Sequence, residues 1–320
     1  MPDRNTAPTA GRPRIVVIGS TNTDLVTRVA RIPAPGETVL GGDLEIVAGG
    51  KGANQAVACA RLGGDVTFVA RIGDDAFGQN ALDGFRREGL NVSHVSVTPD
   101  VPSGVALISV NEATGENAIV VAPGANTLLS PQDVDAAADA FDGARAVVVS
   151  LEVPLETVAR AIEAGHARKI PVLLNPAPAR ALPPDLLARV SLLTPNESEA
   201  RLLCGLTDDF SSLDELAALL DLGVQTAVVT LGARGAALVT PDGIEHVPGY
   251  PVAAVDTVAA GDCFTGAVAV EIALGRPLRD AARFACAAAA LSVTRKGAQP
   301  GLPTREEVTA FLAARNRQSA

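Results

Sequence analysis

Residues 144–175 read "ARAVVVSLEVPLETVARAIEAGHARKIPVLLN", and the order of patterns in this stretch decides the fold. Its two ends, 144–151 and 171–175, are short apolar runs without polar alternation, as in strands buried on both faces. Between them, 155–168 carries apolar residues at helical spacing. Strand, helix and strand in this order make one unit of a parallel sheet covered by helices. The same rhythm runs outward in both directions. Upstream, "RIVVIG" (14–19) and "VTFVARIG" (66–73) predict strands, and 54–64, 76–88 and 131–141 predict helices. Downstream, strands are expected at 191–195 and 226–232, with helices over 196–204, 213–221, 262–274, 278–293 and 304–314. The expected fold class is α/β: a doubly wound, mostly parallel sheet flanked by helices.

Two segments break the rhythm. Residues 22–48 and 102–123 alternate polar and apolar positions, as in "ETVLGGDLEIV" and "GVALISVNEATGENAIVV". That period belongs to strands with one wet face. They are expected to form a small β-sheet lid over a cleft, within one domain spanning 14–315. Residues 1–13, "MPDRNTAPTAGRP", are polar and Pro-rich and read as a disordered tail.

Composition narrows the function. The chain has 320 residues, a net charge of −10, no Trp and 3% aromatics. Such a surface neither neutralises a nucleic-acid backbone nor stacks bases, so no nucleic-acid partner is expected. No apolar run is long enough for a signal segment or a membrane span, so a cytoplasmic protein is expected. Cys59, Cys204, Cys263 and Cys286 form no CxxC pair and read as reduced thiols. His94, His166 and His246 lie far apart, in no metal-ligand spacing.

The chemistry concentrates in a few stretches. In "VDTVAAGDCFTGA" (255–267), Asp256 and Asp262 flank very small residues that lead straight into an apolar helix. Small residues at a helix start leave N–H groups uncovered at its positive end, which suits an anion, and a carboxylate beside them can accept a proton. In "VAGGKGANQAVACARLG" (47–63), Gly49, Gly50 and Gly52 allow close backbone approach, and Asn54 suits a polyhydroxyl compound. The spacing is not that of a P-loop, and no GxGxxG follows the first strand, which argues against a nicotinamide dehydrogenase. Asn22 and Asp24 follow the first strand, where open α/β sheets bind ligands. They either grip vicinal hydroxyls or form a plain Asx turn. Asn196 and Glu199 in "TPNESEA" fit a helix capping box and equally a hard-oxygen pair for Mg²⁺. "TLGARGA" (230–236) is a strand and a glycine-spaced turn, able to pass a nucleotide or to close a hairpin. "NPAPAR" (175–180) ends a strand on stiff turns and has no independent role.

Together "PGETV", "GGKGANQA", "NPAPAR", "TPNESEA", "DTVAAGDCFTGA" and "VTRKGAQP" resemble, in this order, the PfkB family of sugar and nucleoside kinases. The resemblance runs from Arg14 to Phe311 and implies ATP-dependent phosphorylation, with D-ribose at O5 the leading acceptor. Deoxyribose, a ketohexose or a nucleoside is the alternative acceptor, and a non-catalytic sugar-binding regulator is the alternative class. By this resemblance Asp262 is the catalytic base, and the amides of Ala259, Ala260 and Gly261 form an anion hole. Asn22, Asp24, Gly50, Lys51, Asn54 and Glu152, with Asp262, would contact the sugar. Asn196, Thr230, Gly232 and Gly235, with Gly261, would contact ATP, and Glu199 would hold Mg²⁺ through water. Asp256, Val258, Ser292, Arg295, Gly297 and Gly301 would hold K⁺; a relative's Ser at the last position adds a hydroxyl that Gly301 lacks. Cys286 stands where a relative's polar residue faces adenine. Cys263 is a packing residue or a redox-sensitive thiol. A homodimer formed through the lid is also implied.

Overall fold

The computed structural model describes residues 11–206 and 212–318. Among them, nine strands form the larger sheet. In chain order these are β1 (Arg14–Ile18), β4 (Asp65–Gly73), β5 (Asn91–Thr98), β8 (Ala146–Ser150), β9 (Val172–Asn175), β10 (Leu192–Leu193), β11 (Ala227–Thr230), β12 (Gly235–Thr240) and β13 (Gly243–Pro248). Their spatial order is β13-β12-β11-β10-β9-β8-β1-β4-β5. From β11 to β5 all neighbours are parallel, while β12 and β13 add an antiparallel edge.

The unbroken apolar runs follow from this arrangement. In β1, Ile15 and Val17 join one core cluster, while Val16 and Ile18 join the other on the opposite face. β8 divides likewise, Val148 to one side and Val147 and Val149 to the other. A strand between two helix layers has no wet face, so period-2 polarity disappears. Helices Lys51–Arg61, Ala260–Ala273 and Leu278–Ser292 cover the first face. Helix Leu155–Ala167 covers the second.

The interrupting segments form a separate four-stranded sheet. Its strands are β2 (Asn22–Val29), β3 (Gly41–Gly49), β6 (Gly104–Asn111) and β7 (Asn117–Ala122), in the order β3-β2-β6-β7. β2 and β6 pair in parallel across the two segments, so these are not unrelated hairpins. Alternation gives the small sheet two faces. Asp24, Val26, Glu45, Val47, Ala106 and Ile108 line a cavity beneath it. Leu44, Ile46, Leu107 and Val120, on the opposite parity, are 51–65% exposed.

Several expectations change. The 131–141 helix is broken into Pro131–Ala136 and a 3₁₀ turn, and 213–221 into a 3₁₀ turn and Ala218–Asp221. β5, β12 and β13 were not anticipated. Of the tail expected at 1–13, residues 1–10 lie outside the described residues. Arg12 and Pro13 are already tied to the body, through Arg12 to the Ala60 carbonyl (3.1 Å) and Asp65 N–H to the Pro13 carbonyl (2.9 Å). Among the described residues no helix is long and apolar enough to cross a membrane.

Candidate active site

The carboxyl ends of the parallel strands converge on Asp262. This residue sits in the first turn of helix Ala260–Ala273 and is 5% exposed. Helix Lys51–Arg61 crosses the same point, because Gly266 has no side chain. A Cβ there would lie 2.7 Å from the Ala58 Cβ. The crossing brings Asn54 Nδ2 to one oxygen of Asp262 and Gln55 Nε2 to the other, each at 3.0 Å. Gln55 also reaches Asn175 Oδ1 (3.2 Å), and Asn175 donates to the Thr194 carbonyl (2.8 Å). A buried hydrogen-bond chain thus fixes the carboxylate from behind. Burial raises the Asp262 pKa, while Lys51 and the two amides hold it back.

The helix start carries no side-chain cap. Ala259 takes a left-handed conformation (φ 59°) that non-glycine residues rarely adopt. First-turn amides have no intrahelical acceptor, so they face outward. Ala260 N–H leans on the Thr257 carbonyl at 3.3 Å, whereas around Gly261 the space where a side chain would sit is open. Of the three residues expected to form the anion hole, Gly261 therefore leaves the most room.

Asp262, Lys51, Thr257 and Ala259 border two cavities at once. One, of about 520 Å³, lies under the small sheet and is lined also by Asn22, Asp24, Gly50, Asn54 and Glu152. The other, of about 190 Å³, is lined by Asn175, Thr194, Asn196, Glu199, Thr230, Ala260 and Gly261. Asp262 stands at their junction.

Electrostatics reinforce the junction. Burial alone would lower the Lys51 pKa, but Asp262, Glu152 and Glu199 outweigh it and hold the ammonium above its ordinary value. Asp24 is pushed up to about 7 by burial first, then by the charges of Glu152 and Asp262. Glu152 follows β8 and accepts from the Ser20 hydroxyl and from Lys51 N–H (3.0 Å). Gly49 leaves room for Asp24, since a Cβ there would lie 2.2 Å from its carboxylate oxygen and would displace it. At Gly50 (φ 87°) a Cβ would lie 2.6 Å from the Asn22 backbone nitrogen.

The remaining expected residues divide. Asn196 and Glu199 form a complete capping box (2.8 and 2.9 Å), and Glu199 still lines the smaller cavity with its pKa raised by burial. Thr230 lies there as well. Gly232 (φ 58°) has open space at its missing side chain, as a bound ligand would need. Gly235 does not: a Cβ there would meet the Val247 carbonyl at 2.1 Å, so its glycine serves the β12–β13 pairing. Asp256 accepts from Val258 N–H (3.0 Å) and Gly297 N–H (2.9 Å), which ties the loop before the helix to 292–301. The space beside Gly301 is bordered by the carbonyls of Ser292 and Arg295, 3.2 and 3.7 Å from a Cβ built there. Cys59, Cys263 and Cys286 are buried, with thiols pushed up to about 12 by burial, which removes Cys263 as a reactive thiol. Gln55, Ser20, Asn126, Asn175 and Thr257 were missed. Gln55 was within reach, as the neighbour of Asn54 in a motif already singled out.

A model of the pfkB family of carbohydrate kinases matches residues 12–305. The chain belongs to this family. A protein named ribokinase from Haemophilus influenzae is 39% identical over 303 residues, covering 94% of this chain and 99% of the relative. A protein named deoxyribokinase from Salmonella typhi is 41% identical, covering 93% and 98%. The structure of Arabidopsis thaliana ribokinase complexed with ribose and ATP superposes with a TM-score of 0.86 at 34% identity, covering 94% of this chain and 99% of that one. The stretches 49–56 and 256–267, which carry the resemblance drawn from the sequence, are the two that meet at Asp262.

Proposed function

We propose that this ribokinase-like carbohydrate kinase transfers the γ-phosphoryl group of ATP to O5 of D-ribose. The observation that carries the reading is the position of Asp262, a buried carboxylate between two cavities at an uncapped helix start. The larger cavity takes the sugar, held by Asn22, Asp24, Gly50, Lys51, Asn54 and Glu152. The smaller takes the phosphates of ATP, beside Asn196, Thr230 and Gly232. Asp262 orients the primary hydroxyl and accepts its proton as the bond to phosphorus forms. In a loose transition state that proton leaves late, so a carboxylate far weaker than an alkoxide is a sufficient base. The amides at 259–261 and the Lys51 ammonium face the charge that develops on the transferring group.

The donor sets fit the expected ions. Glu199, an oxygen ligand beside the phosphate cavity, would hold Mg²⁺ through water, and Mg²⁺ would neutralise phosphate charge. Asp256 and the carbonyls of Val258, Ser292, Arg295, Gly297 and Gly301 would hold K⁺ next to the helix start. Closure of the small sheet would exclude water from the sugar. A second copy covering Leu44, Ile46, Leu107 and Val120 would make the homodimer.

The test is coupled ADP release with ribose, deoxyribose, fructose and adenosine, each in K⁺ and in Na⁺. Ribose turnover with the highest kcat/KM supports the assignment. Deoxyribose equal to or better than ribose replaces it with the deoxyribose reading, while sugar binding without turnover on any acceptor supports the regulator.

A further inference from the structure

Asn126 lies in the short 3₁₀ turn Gly124–Leu128 that follows β7, outside every motif described above. It is 2% exposed and its amide makes three hydrogen bonds. Oδ1 accepts from Thr21 N–H at 2.9 Å, and Nδ2 donates to the Thr21 carbonyl at 3.0 Å and to Asn22 Oδ1 at 2.8 Å. The direction of an amide is set by its partners, and backbone partners leave no choice. Thr21 N–H can only donate and its carbonyl can only accept, so Asn126 is locked. Its Nδ2 then demands an oxygen from Asn22, which turns the Asn22 NH₂ group away from Asn126; Asn22 lines the cavity under the small sheet and also the neighbouring one beside Glu152 that Asn126 borders. Gly104 is part of the device. A Cβ there would lie 2.2 Å from Asn22 Oδ1 and 2.3 Å from Asn126 Nδ2, so any other residue would separate the pair.

We infer that Asn126 is a positioning residue that fixes the Asn22 amide, so that this corner of the cavity presents a hydrogen-bond donor and meets an accepting oxygen of the substrate. The neighbouring Asp24 carboxylate has the opposite character and meets hydroxyl donors. The polarity of recognition at Asn22 is thereby fixed from a residue outside the cavity under the small sheet. This rests on the proposal that Asn22 contacts the sugar.

The experiment measures dissociation constants by calorimetry for ribose, its monodeoxy analogues and its ring-carbocyclic analogue. The proteins are the native chain and the variants Asn22→Ala, Asn126→Asp and Asn126→Leu. One analogue, lacking the oxygen that faces Asn22, should bind the native chain about tenfold more weakly than ribose, the worth of one hydrogen bond. That penalty should fall below about twofold in Asn22→Ala and in both Asn126 variants. Penalties for the analogues that Asp24 reads should persist. A merely structural Asn126 would lower Tm and weaken all ligands alike, leaving every ratio unchanged, and that result overturns the inference. If Asn22→Ala erases a penalty that the Asn126 variants keep, the inference alone falls. If Asn22→Ala erases none, the Asn22 contact falls and the inference with it. Should the Asn126 variants not fold, the native chain still decides, through the ¹⁵N-edited NMR signals of the Asn22 side-chain NH₂. Sugar binding should shift them and slow their hydrogen exchange, and unmoved signals overturn the inference.

Discussion

Asp262→Asn separates chemistry from folding, because the structure sets different magnitudes for the two. In the native chain each carboxylate oxygen accepts one buried donor at 3.0 Å, from Asn54 and from Gln55. Asparagine keeps one acceptor and turns an NH₂ group on the other donor, leaving one pair unmade at a cost of about 1–3 kcal/mol. Against this, the substitution removes a charge that burial disfavours, as the raised pKa of Asp262 records. The two effects oppose, and the fold should lose no more than about 2 kcal/mol. Turnover should suffer far more, since a positioned base contributes about 10²–10⁴ in rate. At saturating ribose and ATP, kcat should fall at least a hundredfold, equivalent to about 2.7 kcal/mol or more of barrier. Calorimetry should find ribose still binding within about tenfold of the native affinity. A variant that keeps more than about a tenth of native kcat would refute the role of Asp262 as base. So would a loss of kcat that merely tracks the unfolded fraction in a thermal melt.

Ribose affinity should rise with pH through about 7, because hydroxyl donors select the ionised form of Asp24, whose pKa is raised to about 7. Calorimetry in buffers of different ionisation enthalpy should detect proton release near neutrality, and Asp24→Asn should flatten the profile. The sign for the free protein is opposite: a carboxyl with a raised folded pKa stabilises the fold at acid pH and loses that contribution as pH climbs from about 4 to about 7. Melts of the ligand-free chain over this range should therefore favour Asp24→Asn increasingly toward pH 7. Gly266→Leu forces a side chain against Ala58 and should destabilise by at least about 1–3 kcal/mol, the usual cost of overpacking, so an unchanged Tm would contradict the helix crossing. Asp256→Ala leaves Val258 and Gly297 N–H without their acceptor and should abolish any Tm gain of K⁺ over Na⁺, whereas a K⁺ gain retained in the variant would remove Asp256 from the cation set.

What was legible in the sequence follows a physical divide. Continuous apolar runs such as 146–149 announce strands buried on both faces, and the helices between them fix the parallel sheet. The convergence of Asp262, Lys51 and Asn54 was legible because they stand in short contiguous motifs of small residues. Gln55, Asn175 and Asn126 act through bonds to residues 207, 120 and 105 positions away, or to each other, and one sequence holds no trace of such pairings. The β12–β13 edge escaped because "GAALVT" and "GIEHVP" are short and of mixed pattern, and pairing rather than periodicity makes them strands. Gly235 shows a related difficulty. A glycine required by a crossing strand and one required by a ligand look alike until the neighbouring carbonyl is seen.

Whole-chain identity cannot choose between ribose and deoxyribose, because relatives named for the two sugars match the chain at 39% and 41%. The reason lies in where identity accumulates. Most of the chain builds the two core layers, the helix crossing at Gly266 and the phosphate-facing helix start, and a kinase for either sugar needs all of these. A single hydroxyl of difference is read by a few side chains, each worth no more than a few kcal/mol. On the proposed reading they are Asn22 and Asp24, two positions apart on β2 and opposite in hydrogen-bonding character. Burial and the charges of Glu152 and Asp262 push the Asp24 pKa up to about 7, so hydroxyls that donate to it would favour its ionised form. Two donors drive it further than one. A sugar lacking one of two vicinal hydroxyls should therefore lose affinity and also release a smaller fraction of a proton on binding. On the proposed reading the acceptor is distinguished by side chains such as Asp24 and Asn22, and not by the fold that carries them.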